Sequence, residues 1–159
     1  MRETGIFLDM EKGSFTCRAA ALIIKDGKLL AAKNMYPAYY TVGGAVEIGE
    51  TSEEAVVREV FEETGYRLEI DKLAFIQERF YHFSGRQNHE VVFFYLMKER
   101  AGLDIPDGSY TDQAPMETLH WLPIDRLGEI NIIPAFLKTQ SYDDILGIRH
   151  IITKEQSSP

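Results

Sequence analysis

The chain has a single cysteine, Cys17, in 159 residues, so no disulfide can form within it. Cys17 lies in an apolar run and reads as a small buried hydrophobe, not as a reactive thiol. No apolar run approaches the roughly 18 residues needed to span a bilayer. The stretch Met1 to Lys12 carries charges and lacks the long apolar core of a secretory signal, so the expected location is cytoplasmic. Basic residues are scarce: 17 Lys and Arg stand against 25 Asp and Glu, a net charge of −8. That balance argues against binding nucleic acid or a membrane surface through a basic face. It does not exclude a small anionic substrate, because a bound divalent cation reverses the local field. There is no internal repeat and no low-complexity block. The four histidines (His82, His89, His120 and His150) lack metal-ligand spacing and read as structural or surface residues.

A hydrophobic content of 45% in a chain this short supplies one core, and a single domain over residues 1–159 is expected, with the polar tail Glu155 to Pro159 frayed. Phe15 to Ile24 and Leu29 to Ala32 are apolar runs on either side of Lys25-Asp26-Gly27-Lys28. Asp-Gly between two such runs predicts a hairpin, because both central residues of a type I′ turn need φ > 0. Tyr39 to Val42 reads as a short strand that stops at Gly43-Gly44. Thr51 to Thr64 predicts a helix, with Thr51 and Glu54 forming a capping box and Gly65 in the C′ position. Leu73 to Phe83 and Val91 to Met97 read as strands joined by the polar turn Ser84 to Asn88, and Leu119 to Leu122 as another. Ile133 to Thr139 predicts a helix starting near Pro134. Ile145 to Thr153 fits a strand or a helical turn equally. Strands outnumber helices in mixed order, so the class is α+β, a mixed sheet packed on at least one helix.

The chemistry concentrates in that first helix. At about 100° per residue, with Ala55 at zero, Glu59, Glu62 and Glu63 share a sector of roughly 100°. Val56, Val57, Val60 and Phe61 fall opposite and are expected to pack on the sheet. Most acidic runs are solvated faces. Here, however, like charges repel at i,i+3 and i,i+4 spacing, and they sit near the helix C-terminus, where the macrodipole disfavours anions. Three acids in that place add nothing to helix stability. A hard divalent cation with oxygen ligands removes the conflict. The preceding Gly43-Gly44 lets backbone approach a ligand closely, Gly49 is a second flexible point, and a glycine loop entering a helix can receive phosphate oxygens.

Gly44, five residues, Glu50, seven residues, then Arg58-Glu59-Val60-Phe61-Glu62-Glu63-Thr64-Gly65-Tyr66 resembles the Nudix box of MutT-like hydrolases at every fixed position. The match spans Gly44 to Tyr66, about a seventh of the chain. One departure is Val42, where many members carry proline; it bears on loop stiffness. The resemblance implies an α/β/α sandwich around a mixed sheet. It also implies hydrolysis of a diphosphate linkage in a nucleoside diphosphate derivative or nucleoside triphosphate, with Mg²⁺ or Mn²⁺ as cofactor. On the same basis Glu59, Glu62 and Glu63 are the expected metal ligands, joined by the Gly43 carbonyl. Glu59, Glu62, Arg58 and Glu90 are the expected catalytic set, Arg58 orienting a box carboxylate such as Glu62 or Glu50. Glu50 and Gly65 are expected to be structural.

The general base is open among Glu59, Glu90, Asp112 and Glu117. Gly44, Arg18 and Tyr81 are the expected substrate contacts. Arg18 stands inside an apolar strand and needs a partner or water; a substrate phosphate or a nearby acid would serve. Tyr36, Tyr39, Tyr40, Phe80 and Phe83 offer rings for a base to stack on or for the core. The absence of proline between Asp71 and Ile105 weakens an ADP-ribose assignment, and the signature of NADH-type members is missing. Nucleoside triphosphates, nucleotide sugars and dinucleoside polyphosphates stay open. The partner is a small phosphate-bearing molecule, with a homodimer compatible and neither nucleic acid nor membrane expected. The rival readings are a non-catalytic nucleotide sensor, which commonly lacks box glutamates, and an isoprenoid diphosphate isomerase, which needs a cysteine near the glycine loop.

Overall fold

A computed structural model describes residues 5–111 and 113–156. Along the chain run β1 (Phe7–Met10), β2 (Gly13–Leu22), β3 (Ile24–Lys25), β4 (Lys28–Lys33), β5 (Tyr39–Thr41) and β6 (Gly43–Ala45). Then come α1 (Ser52–Thr64), β7 (Ile70–Phe83), β8 (Arg86–Met97), β9 (Thr118–Pro123), β10 (Ile132–Ile133) and β11 (Arg149–Lys154). Two 3-10 helices, Ile124–Glu129 and Ala135–Thr139, lie between the late strands.

The strands form two sheets. The larger follows the order β1-β2-β8-β7-β11, with β6 also on β2. It is mixed: β2 runs parallel to β8, and β11 parallel to β7, while β7 and β8 are antiparallel. In the smaller, β5, β9 and β3 all pair with β4, and β10 extends β5 in parallel. The expected α+β class and mixed sheet are therefore present. The long hairpin is different. Asp26 (φ 50°) and Gly27 (φ 69°) make the left-handed turn, but its hairpin is only the short β3–β4 pair. The run before it turns away at Ile23 and joins β8 in the other sheet. β2 ends in Ala19-Ala20-Ala21-Leu22, buried on both faces, which suits a strand inside a covered sheet.

Two cores result, one on each side. Ala19, Ala21, Leu30, Val42, Val56, Val60 and Tyr95 pack under α1. Ala20, Leu22, Leu29, Phe75, Phe94, Leu127 and Leu137 form the other, covered by the 3-10 helices. The helix expected over Ile133 to Thr139 is thus shorter and tighter: Ile133 belongs to β10, and the turn begins at Ala135. Ile145 to Thr153 resolves into β11 at its later half. Of the tail, Glu155 is paired with Arg79, Nε to Oε1 at 2.6 Å, so it is held rather than frayed; residues 157–159 lie outside the described residues.

α1 ends where local chemistry directs it. Thr51 Oγ1 accepts from Glu54 N, Glu54 Oε2 accepts from Thr51 N, and Gly65 takes φ 78° while its N–H reaches Phe61 O. The face it buries needs correction. Ala55, Val56, Val60, Glu63 and Thr64 are the buried residues, whereas Phe61 is 39% exposed with Arg67 over its ring. The inward face is rotated toward the acids: Glu63 goes in and Phe61 stays out. Val56 and Val60, fully buried, contribute about 1.5–2 kcal/mol each to holding that face down.

Candidate active site

The double glycine forms β6, laid antiparallel on β2 with Ala20 opposite Gly43 and Ala19 opposite Gly44. Both glycines are required by close approach. A Cβ on Gly43 would strike the Ala19 carbonyl, and one on Gly44 would strike the Glu59 carboxylate. The bend therefore meets the acidic face of α1 directly. The Gly43 carbonyl was expected to add an oxygen to a metal; in the protein alone, the Gly43 N–H donates to Glu63 Oε1 at 3.0 Å.

Arg58 organises the surrounding acids. Its Nε and Nη2 donate to the two oxygens of Glu50 at 2.7 and 2.9 Å, a two-pronged pairing. Its Nη1 donates to Glu59 Oε1 at 2.6 Å and stands 3.7 Å from Glu62 Oε2, and Nη2 also reaches the Ala45 carbonyl at 3.1 Å. One planar guanidinium thus ties the loop before α1 to the helix face. The Arg58 guanidinium holds the Glu50 carboxyl below its usual range. Glu59 is the opposite case: burial lifts its pKa, and Arg58 only partly counters that.

Glu63 is the most confined of the acids, 7% exposed. Burial holds its pKa well above the ordinary value, and the nearby charge of Glu117 pushes the same way. Its Oε2 is buried with no hydrogen-bond partner. A buried carboxylate oxygen without a donor costs free energy in the protein alone. Glu117 arrives from just before β9, its Oε1 accepting from the Tyr40 hydroxyl at 2.8 Å. Thr111 Oγ1 ties the same approach loop to the helix end through the Glu62 carbonyl at 2.6 Å.

These elements match the NUDIX domain model over residues 15–141. The chain belongs to the Nudix family. A MutT-like protein of Streptomyces ambofaciens is 43% identical over 56 residues, covering 35% of this chain and 36% of that one. The MutT4 mutator protein of Mycobacterium tuberculosis (strain CDC 1551 / Oshkosh) is 32% identical over 128 residues, 77% of this chain and 46% of that one. The chain thus spans less than half the length of these curated relatives. The crystal structure of a MutT protein from Bacillus halodurans shares the fold, with a TM-score of 0.68 over 87% of this chain and 90% of that one at 18% identity.

Nudix members use divalent metal ions, and the residues here fit one: hard oxygen donors, crowded like charges, and a buried carboxylate oxygen that lacks a donor. Among the described residues no three His, Cys, Asp or Glu side chains are already gathered as a ligand set; Arg58 lies among the acids instead. The remaining candidates are dispersed. Glu90, 8% exposed in the middle of β8, spends its oxygens on the Tyr81 hydroxyl at 3.0 Å and Arg79 at 3.5 Å. Tyr81 lies under the Arg79 guanidinium, its phenol pushed up to about 12 by burial and the Glu90 charge. The side chain of Arg18, half-buried on β2, has no hydrogen bond or ion pair among the described residues, yet its charge is felt by Glu59, Glu63 and Tyr81 alike. Asp112 lies outside the described residues.

Of the aromatic candidates, Tyr36 and Phe83 are exposed. Tyr39 packs edge-on to His120, and Phe80 stacks on His89. Cys17 is half-buried against the α1 core, and burial raises its thiol pKa. Sequence reasoning missed the Tyr40–Glu117 bond, which joins residues 77 apart. Gly44→Ala tests the fit at the bend. The new methyl displaces the Glu59 carboxylate, so turnover should fall about 10–100-fold. Stability should change by less than about 1 kcal/mol, because a side chain and not backbone must move. A wild-type rate in a steady-state assay would show that the position of Glu59 is unimportant.

Proposed function

We propose that this Nudix protein is a metal-dependent pyrophosphohydrolase acting on a nucleoside diphosphate derivative or nucleoside triphosphate. The observation that carries this reading is the buried Glu63 carboxyl, with one oxygen lacking a donor and the charges of Glu59 and Glu117 close by. Glu59, Glu62 and Glu63 would hold Mg²⁺ or Mn²⁺. When bound, such an ion neutralises charge on the bridging and leaving phosphate oxygens. Arg18, lacking a protein partner among the described residues, contacts a phosphate. Gly44 permits close approach to Glu59 beside that position. Arg58, braced by Glu50, orients Glu59 and shields Glu62.

Glu117 takes the proton of the attacking water. Glu59 already receives a short hydrogen bond from Arg58, and the oxygens of Glu90 are engaged by Tyr81 and Arg79. Glu117 receives only the neutral Tyr40 hydroxyl among the described residues, so one of its oxygens is left for the water. Water then attacks one phosphorus, the bridging P–O bond breaks, and two phosphorylated products leave. A panel of nucleoside triphosphates, nucleotide sugars, dinucleoside polyphosphates and ADP-ribose, assayed with Mg²⁺ and with chelator, tests this. Cleavage at a diphosphate linkage that stops on chelation is expected. Binding without turnover across the panel would make the protein a sensor instead.

A further inference from the structure

We propose that Tyr40 is a positioning residue: its hydroxyl sets Glu117 against the buried Glu63 and so completes the acidic site from outside the box. This rests on the hydrolytic reading of that site. Glu117 and Glu63 are both acids, and the charge of Glu117 is felt at the buried Glu63. Left alone, Glu117 would turn toward water. It sits at a turn, where its N–H reaches the Ala114 carbonyl at 3.2 Å, so its backbone alone does not aim it. Tyr40, by contrast, is on a strand held from both sides, opposite Ala32 on β4 and Ile133 on β10. Its ring packs against the α1 core, and its hydroxyl lies 2.8 Å from Glu117 Oε1.

The choice of donor matters. An arginine or lysine in that place would fix Glu117 but cancel its charge. A phenol fixes the carboxylate and leaves the charge available. The Oε2 atom of Glu63, buried without a donor, is an independent sign that this acidic cluster lacks a positive partner in the protein alone. Glu117 thus has one oxygen held by Tyr40, leaving the other for the reaction.

The test is a double-mutant cycle on the full chain with Tyr40→Phe, Glu117→Gln and both. Each variant is measured for kcat, for KM and for Mn²⁺ binding by calorimetry without substrate. Losing a hydrogen bond to a charged group should lower kcat about tenfold in Tyr40→Phe. KM should stay within about twofold and Mn²⁺ affinity should weaken about threefold. In the Glu117→Gln background the same change should alter none of these. Glu117→Asp, which draws the carboxylate away from an intact Tyr40, should reproduce the kcat loss. A Tyr40→Phe effect that persists in the Glu117→Gln background, or a wild-type kcat in Tyr40→Phe, overturns the proposal. Glu62→Gln separates the two levels: if it keeps wild-type turnover, the hydrolytic reading itself fails, whatever Tyr40 does.

Discussion

Glu63→Gln is expected to make the metal-free protein more stable, raising Tm by about 2–6 °C, while lowering turnover more than about 100-fold. In the protein alone Glu63 is a liability. It is buried, one oxygen is satisfied by Gly43 N–H, the other by nothing, and Glu117 and Glu59 both oppose its charge. Glutamine keeps an acceptor for Gly43, carries no charge, and offers an amide donor to the neighbouring carboxylates. The same change removes one of the oxygens proposed to hold the cation. Mg²⁺ should therefore raise the wild-type Tm, because it binds only the folded state, and should leave the variant unmoved. Glu62→Gln is the contrast. Its side chain is 23% exposed and lies toward Arg58, so metal-free Tm should shift by no more than the equivalent of about 0.5 kcal/mol. Its turnover should fall as far as that of Glu63→Gln. Calorimetric scans with and without Mg²⁺, beside an activity assay, decide the matter: a Glu63→Gln protein less stable than wild type would contradict this account of the site.

Arg58→Ala should be the most damaging single change to the fold of the site. It removes the partner of Glu50, the short bond to Glu59, and the tether to Ala45 O in one step. The side chains involved are only 15–22% exposed, so solvent recovers little of the loss. About 2–4 kcal/mol is expected, less than for a fully buried pair, or roughly 5–12 °C in Tm for a chain of this size. Turnover should fall with it as Glu59 is released. Arg58→Lys restores charge but not the fork that grips both Glu50 oxygens, and should fall between. There is a pH signature too. Arg58 depresses the folded-state pKa of Glu50, so this pair stabilises above the unfolded carboxylate pKa and the contribution is lost as pH falls through the depressed value. In Arg58→Ala that share of the acid dependence should vanish. Urea titrations across the acid range would show it, and an unchanged acid limb would mean Glu50 is held by other groups.

Legibility from sequence followed the range of the interactions. The ends of α1 were readable because Thr51, Glu54 and Gly65 act within four residues of one another. The Asp26-Gly27 turn was readable for the same reason, both residues taking positive φ; the second turn was expected over Ser84 to Asn88, but only Ser84-Gly85 turns, and Arg86 to Asn88 already belong to β8. The face α1 buries was not. An apolar wheel placed Phe61 inward, but the face that goes in is the one β6 lies against, where Gly43 N–H and the bare Gly44 meet the carboxylates of Glu63 and Glu59. The late helix shrank to a 3-10 turn because it closes over the Phe75–Phe94 face, where Phe136 packs edge-on to both rings. No local pattern carries that demand.

The order of residues along the chain was enough to define the box, its glycine bend and the acids on one side of a helix, because spacing on a helix converts directly into direction. Which acids are buried, which are bridged by Arg58, and that Glu117 joins them through Tyr40 were decided only when β5, β6, β9 and α1 came together. Burial and charge pairing depend on neighbours in space, and those neighbours are up to 77 positions away in the chain.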